Sequence, residues 1–75
     1  VAIGYPDGTP YVSLSCKGFP NFGIWSLPGA PYICLEPWIG RCDDFGFTDD
    51  ISKKENIIKL LSQEIFNSSY AITIH

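Results

Sequence analysis

The chain has 75 residues, 45% of them apolar and 15% aromatic, and its eight acidic and five basic side chains leave a net charge of −3. This length fits one domain at most, and so short a chain buries only about 60% of its unfolded surface, so part of this apolar material is expected to pack against something else. The sequence has no basic stripe and no long apolar run, and neither nucleic acid nor membrane is expected as a partner.

Residues 1–10 carry the turn signals Asp7-Gly8 and Thr9-Pro10 and are expected to form a loop. Residues 11–16 alternate, with Val12, Leu14 and Cys16 on one side and Tyr11, Ser13 and Ser15 on the other, which predicts a half-buried strand. A turn through Lys17-Gly18-Phe19-Pro20-Asn21 leads to a second strand over 22–26. Pro28-Gly29-Ala30-Pro31 can propagate neither helix nor strand, because proline lacks a donor and glycine favours unusual dihedrals; it reads as a tight loop. A third strand is expected over 32–36, with Tyr32, Cys34 and Glu36 on one face, Ile33 and Leu35 on the other, and Pro37 as its stop. Glu36 would then stand at a strand end, where a fixed backbone aims a side chain into a cleft.

Residues 41–50 form a polar loop in which Asp43, Asp44, Asp49 and Asp50 lack the spacing of a calcium-binding loop, so solvated carboxylates are the reading. Residues 52–66 look helical locally: Ser52 and Glu55 fit a capping box, and Ile57, Ile58, Leu60, Leu61 and Ile65 recur at helix-like intervals. In the tail, Tyr70, Ile72 and Ile74 alternate with Ser69, Ala71 and Thr73, a strand pattern. Asn67-Ser68-Ser69 matches the N-glycosylation pattern and, with no sign of secretion, reads as a chance match. Cys16, Cys34 and Cys42 are an odd count without metal-ligand spacing, which points to free, mostly buried thiols in a reducing cytoplasm, with a Cys34–Cys42 disulfide as the alternative. The only histidine, His75, is terminal, and no metal or cofactor is expected.

The chemistry concentrates around Glu36, a carboxylate flanked in sequence by Trp25 and Trp38. Aromatic faces suit the C–H face of a sugar ring, and a carboxylate suits its hydroxyls. Taken singly, each residue has a plainer reading: Glu36 as a solvated surface group, Trp25 and Trp38 as core or interface. Cys34 shares the face of Glu36 but has no adjacent base, so a structural thiol is preferred to a nucleophile.

Three blocks lie in order over residues 11–74. They are Gly18-Phe19-Pro20 with Gly23-Ile24-Trp25-Ser26; Pro28-Gly29-Ala30-Pro31 leading to Cys34-Leu35-Glu36-Pro37-Trp38 and Gly40; and Lys54-Glu55, Ile57-Ile58 and Leu60 with the final Tyr70-Ala71-Ile72-Thr73-Ile74. Together they resemble the C-terminal segment of the aldose 1-epimerase (galactose mutarotase-like) family, in the manner of its bacterial members; the second block is the specific one. The resemblance implies a mainly β fold, with antiparallel strands forming the C-terminal part of a galactose mutarotase-like super-sandwich and residues 1–75 as a C-terminal fragment of one such domain. It prefers an extended chain to a helix over 52–66, with a turn at Leu61-Ser62-Gln63 where the family has a Glu-Pro-Gly-like turn.

By the same resemblance the parent is a cytoplasmic isomerase of carbohydrate metabolism. It would interconvert the α and β anomers of a hexose by acid–base ring opening, without metal or cofactor. Glu36 matches the family's general base, and the acid is a histidine upstream of this segment. Trp25 and Trp38 are candidate walls of the sugar cleft, and Arg41 a candidate contact to a hydroxyl or a phosphate of the substrate. The implied partners are an aldose sugar and the remainder of the same protein or a self-associated copy, and the chain alone is expected to be inactive. The alternatives are a non-catalytic carbohydrate-binding protein on the same scaffold and a structural piece completing another chain's sheet.

Overall fold

The computed structural model describes residues 1–75. Its elements are β1 (Ala2–Gly4), β2 (Pro10–Ser15), β3 (Asn21–Trp25), β4 (Cys34–Trp38), a 3-10 turn at Ile51–Lys53 and β5 (Ala71–Ile74). They form two antiparallel sheets, β1-β2-β5 and β3-β4. The fold is therefore mainly antiparallel β, of the kind found in a piece of a β-sandwich, and no helix is long and apolar enough to cross a membrane.

The first ten residues differ from the expected loop, because they supply the hairpin that joins β1 to β2. The Gly8 N–H donates to the Tyr5 carbonyl at 2.9 Å and the Tyr5 N–H to the Thr9 carbonyl at 2.8 Å. Asp7 Oδ1 accepts from the Thr9 N–H at 2.8 Å, and Gly8 takes φ 91°, the left-handed residue that closes a three-residue hairpin loop. The turn signals were legible, but a strand of three residues is too short to show alternation.

The strand over 11–16 falls at Pro10–Ser15 and the tail strand at Ala71–Ile74, paired through Val12–Ile74, Ser13–Thr73, Leu14–Ile72 and Ser15–Ala71. The strand expected over 22–26 falls at Asn21–Trp25. The one expected over 32–36 is shifted to Cys34–Trp38, so Pro37 lies inside it and Glu36 at its centre rather than its end. A strand that lacks one donor survives here because β4 has a neighbour on one side only, and an unused edge position can hold a proline.

Residues 52–66 form neither a strand nor an α-helix. A single 3-10 turn at Ile51–Lys53 is capped by Asp50, whose Oδ1 accepts from the Ser52 N–H at 2.8 Å; the expected cap at Ser52 is displaced by two residues. Beyond it the chain makes two reversals. The Ile57 N–H donates to the Lys54 carbonyl and the Glu64 N–H to the Leu61 carbonyl, with φ 62° at Asn56 and 68° at Gln63. A turn does fall on Leu61-Ser62-Gln63, with glutamine taking the left-handed position that glycine usually fills.

Alternation gives each sheet two unlike faces. Ile3, Val12, Leu14, Ile72 and Ile74 share one face of the larger sheet. Leu35 and Pro37 share a face of β3-β4 with Phe22 and Ile24. Between the two sheets lies an apolar cleft of about 470 Å³, lined by Ile3, Val12, Leu14, Leu35, Pro37 and Ile72 among others. The faces do not close on each other, and Leu14, at 7% exposure, is the one buried residue. The cysteines are free as expected, but none is buried: Cys16 and Cys34 are half-buried and Cys42 is exposed.

Candidate functional site

The register of β3 against β4 builds the site. Trp25 lies opposite Cys34, Gly23 opposite Glu36, and Asn21 opposite Trp38. Directly opposed residues of an antiparallel pair point to the same side. Trp25, Glu36 and Trp38, singled out from the sequence, thus share one face, away from the cleft between the sheets.

Glu36 is half-buried and its carboxylate is engaged. The indole N–H of Trp38 donates to Glu36 Oε2 at 3.1 Å. Across the pair, Gly23 lies alongside them: a Cβ there would be in ordinary van der Waals contact, 3.5 Å from Trp38 Nε1 and 3.6 Å from both Glu36 Cβ and Oε2. Trp25 caps the other end of the face and packs against Tyr32, with ring centroids 6.1 Å apart and tilted at 46°. Both indoles are about half exposed, 53% for Trp25 and 48% for Trp38, so each offers a ring surface to a ligand.

An open cavity of about 590 Å³ adjoins Trp38 and is lined by Asn21, Phe22, Gly23, Trp38, Gly40, Arg41 and Cys42. Arg41 thus borders the same cavity, but its guanidinium is held elsewhere, with Nη1 on Asp44 and Nη2 on Glu55, each at 2.6 Å. The hydrogen bond from Arg41, reinforced by its charge, holds the Asp44 carboxyl below its ordinary range. An arginine carries five N–H donors, so these two bonds leave others free. The loop closes further through Lys54 on Asp43 at 2.7 Å and Lys53 on Asp49 at 3.5 Å. Its carboxylates stay exposed, as a solvated loop requires.

Two residues that pattern reasoning had not placed here complete the site. Gly23 is the close neighbour of the carboxylate, and a glycine inside an apolar strand is the signal that a backbone or side chain approaches closely. Asn21 ties the cavity wall together: its Nδ2 donates to the Ile39 carbonyl at 3.1 Å and to Asn56 Oδ1 at 3.2 Å. No sequence signal connects residues 21 and 56, because the contact depends on how the loop folds back. His75 is apart from this face, with its Nε2 2.6 Å from Ser13 Oγ.

Comparison with known proteins gives a partial, distant homology. The chain is 35% identical over 57 residues to Protein LacX of Lactococcus lactis subsp. lactis, in both its plasmid and its chromosomal form. The match covers 75% of this chain and 19% of each LacX protein, so the chain spans a small part of the length of these relatives. No family model matches, and no solved structure matches.

Proposed function

We propose that this chain is the base-bearing C-terminal part of an aldose 1-epimerase-like isomerase, built on a galactose mutarotase-like super-sandwich and acting on an aldose sugar. The observation that carries the reading is the single face on which Glu36 stands between two half-exposed indoles, one of which, Trp38, borders an open cavity. The partial homology to LacX and the three sequence blocks support the family.

In this reading Glu36 accepts the proton of the C1 hydroxyl. The electron pair left on that oxygen forms the aldehyde as the bond from C1 to the ring oxygen breaks. An acid, a histidine from the remainder of the protein, protonates the ring oxygen. Rotation about the C1–C2 bond and the reverse transfers give the other anomer. Trp25 and Trp38 offer faces for the sugar ring, and Arg41 lends a spare N–H to a hydroxyl while its salt bridges hold the loop. The apolar faces left open by the two sheets are covered by the remainder of the same protein, and three free thiols fit a reducing cytoplasm.

The test is mutarotation, followed by polarimetry, in the full-length protein that carries this segment. Glu36→Gln is expected to lower kcat by about 10²–10⁴-fold, the range of a lost general base. Unchanged activity would remove the role given to Glu36. The exposed indoles also favour a second reading, a carbohydrate-binding protein without catalysis. In that case sugar binding is present, no mutarotation is measurable in the unaltered protein, and Trp25→Ala weakens binding.

A further inference from the structure

Glu36 has two carboxylate oxygens, and only Oε2 is engaged by the indole of Trp38. We propose that Trp38 is a positioning residue for Glu36: its N–H holds Oε2 so that Oε1 is presented to the sugar hydroxyl. The proposal rests on the catalytic reading of Glu36 and deepens it.

Three local features make the arrangement specific. Positions 36 and 38 are two apart in one strand, so both side chains leave the same face. Pro37 stands between them, and its ring fixes one of the backbone dihedrals that set the angle between the two side chains. Gly23, opposite Glu36, puts no side chain against the pair, where a Cβ alone would already be in ordinary contact. An indole N–H is a donor only and cannot exchange roles with the carboxylate. At 3.1 Å the contact lies within the range of a directional N–H···O hydrogen bond. A proton acceptor held in one orientation avoids the loss that a misplaced reacting atom brings. The same indole borders the cavity and is half exposed, so part of it remains available to substrate while its N–H holds the base.

The experiment uses the full-length protein with the N–H removed and the ring retained, as Trp38→benzothienylalanine, in which sulfur replaces the indole nitrogen. The expected result is a fall in kcat of about tenfold or more, with KM for the aldose changed by less than about twofold. A packing role alone would not respond to so small a change. As a second measurement, independent of turnover, Glu36→Ala should move the indole N–H resonance of Trp38 upfield in the NMR spectrum and leave that of Trp25 in place. Wild-type kcat in Trp38→benzothienylalanine, with Glu36→Gln inactive, would overturn the positioning role and leave the catalytic reading standing. An unmoved Trp38 resonance in Glu36→Ala would also overturn it. Full activity in Glu36→Gln would bring down the catalytic reading and this proposal with it.

Discussion

At the scale of single residues, the site depends on a small side chain as much as on its large ones. Gly23 is opposite Glu36, and a Cβ added there meets Trp38 and Glu36 at ordinary van der Waals distance, 3.5–3.6 Å. Alanine therefore fits, whereas the further methyl groups of valine would push on the carboxylate or the indole. Gly23→Ala is expected to keep near-normal mutarotase activity in the full-length protein, and Gly23→Val to lose about tenfold or more, since displacement of a reacting group by about 1 Å costs up to 10²-fold. Equal kinetics for the two variants would show that the space over the carboxylate is not limiting. Glu36, Trp25 and Trp38 were legible as a group because the two tryptophans flank the carboxylate in sequence. That all three share one face was not, because Trp38 lay beyond the expected stop at Pro37 and the pairing of β3 with β4 decides it. The engagement of Arg41 by Asp44 and Glu55 was not legible, because the pairing with Glu55 joins residues fourteen apart through an irregular loop.

Among the elements, the strands follow alternation and the loops follow turn chemistry. In the larger sheet, β2 and β5 formed where period-2 patterns were clear, in residues 11–16 and 70–74, and β1 was added by pairing. The segment 52–66 misled in both directions. Its apolar residues recur at helical intervals, yet Asn56 and Gln63 take the left-handed region, which no continuous helix or strand accommodates. The cost is not equal at the two positions. Asparagine tolerates left-handed geometry, and Asn56 Oδ1 also receives the Asn21 side chain. Gln63 is exposed, and the side-chain hydrogen bond of this turn runs from the Leu61 N–H to Glu64 Oε1 rather than to Gln63. Gln63→Gly is expected to stabilise the full-length protein by about 0.5–1 kcal/mol, the left-handed penalty less the entropy glycine adds to the unfolded chain. Chemical denaturation measures this; no gain, or a loss, would place Gln63 in a different turn geometry.

The whole molecule is an open plate. Its radius of gyration is 16.3 Å and its extents are 47 × 31 × 17 Å, against about 11 Å for a compact chain of this length. It exposes 6257 Å², whereas a folded monomer of 8.3 kDa exposes about 4,600 Å². The excess, roughly 1,650 Å² on this chain alone, is about twice the 800 Å² that each partner gives to a standard protein–protein interface. The 24 backbone–backbone hydrogen bonds likewise fall short of the about 50 expected of a closed domain of this size. Hydrophobic burial is the main force that opposes chain entropy, and here Leu14 alone is buried. The isolated chain is therefore expected to show no cooperative thermal transition by near-ultraviolet circular dichroism, and to self-associate in size-exclusion chromatography with light scattering. A monomer with a sharp transition would mean that these sheets are stable without a partner.

The sequence alone determined the strand over 11–16, the tail strand, the turn signals at Asp7-Gly8 and Pro28-Gly29, and the carboxylate flanked by two tryptophans. Each depends on neighbours within a few residues, where steric and hydrogen-bonding rules act directly. Only the tertiary structure decided that β4 runs through Pro37, that residues 1–10 add a strand, that residues 52–66 become turns, and that Gly23 faces the carboxylate. Those outcomes depend on which strand lies alongside and in what register, and pairing across the chain can override local preference because it supplies the backbone's missing hydrogen bonds.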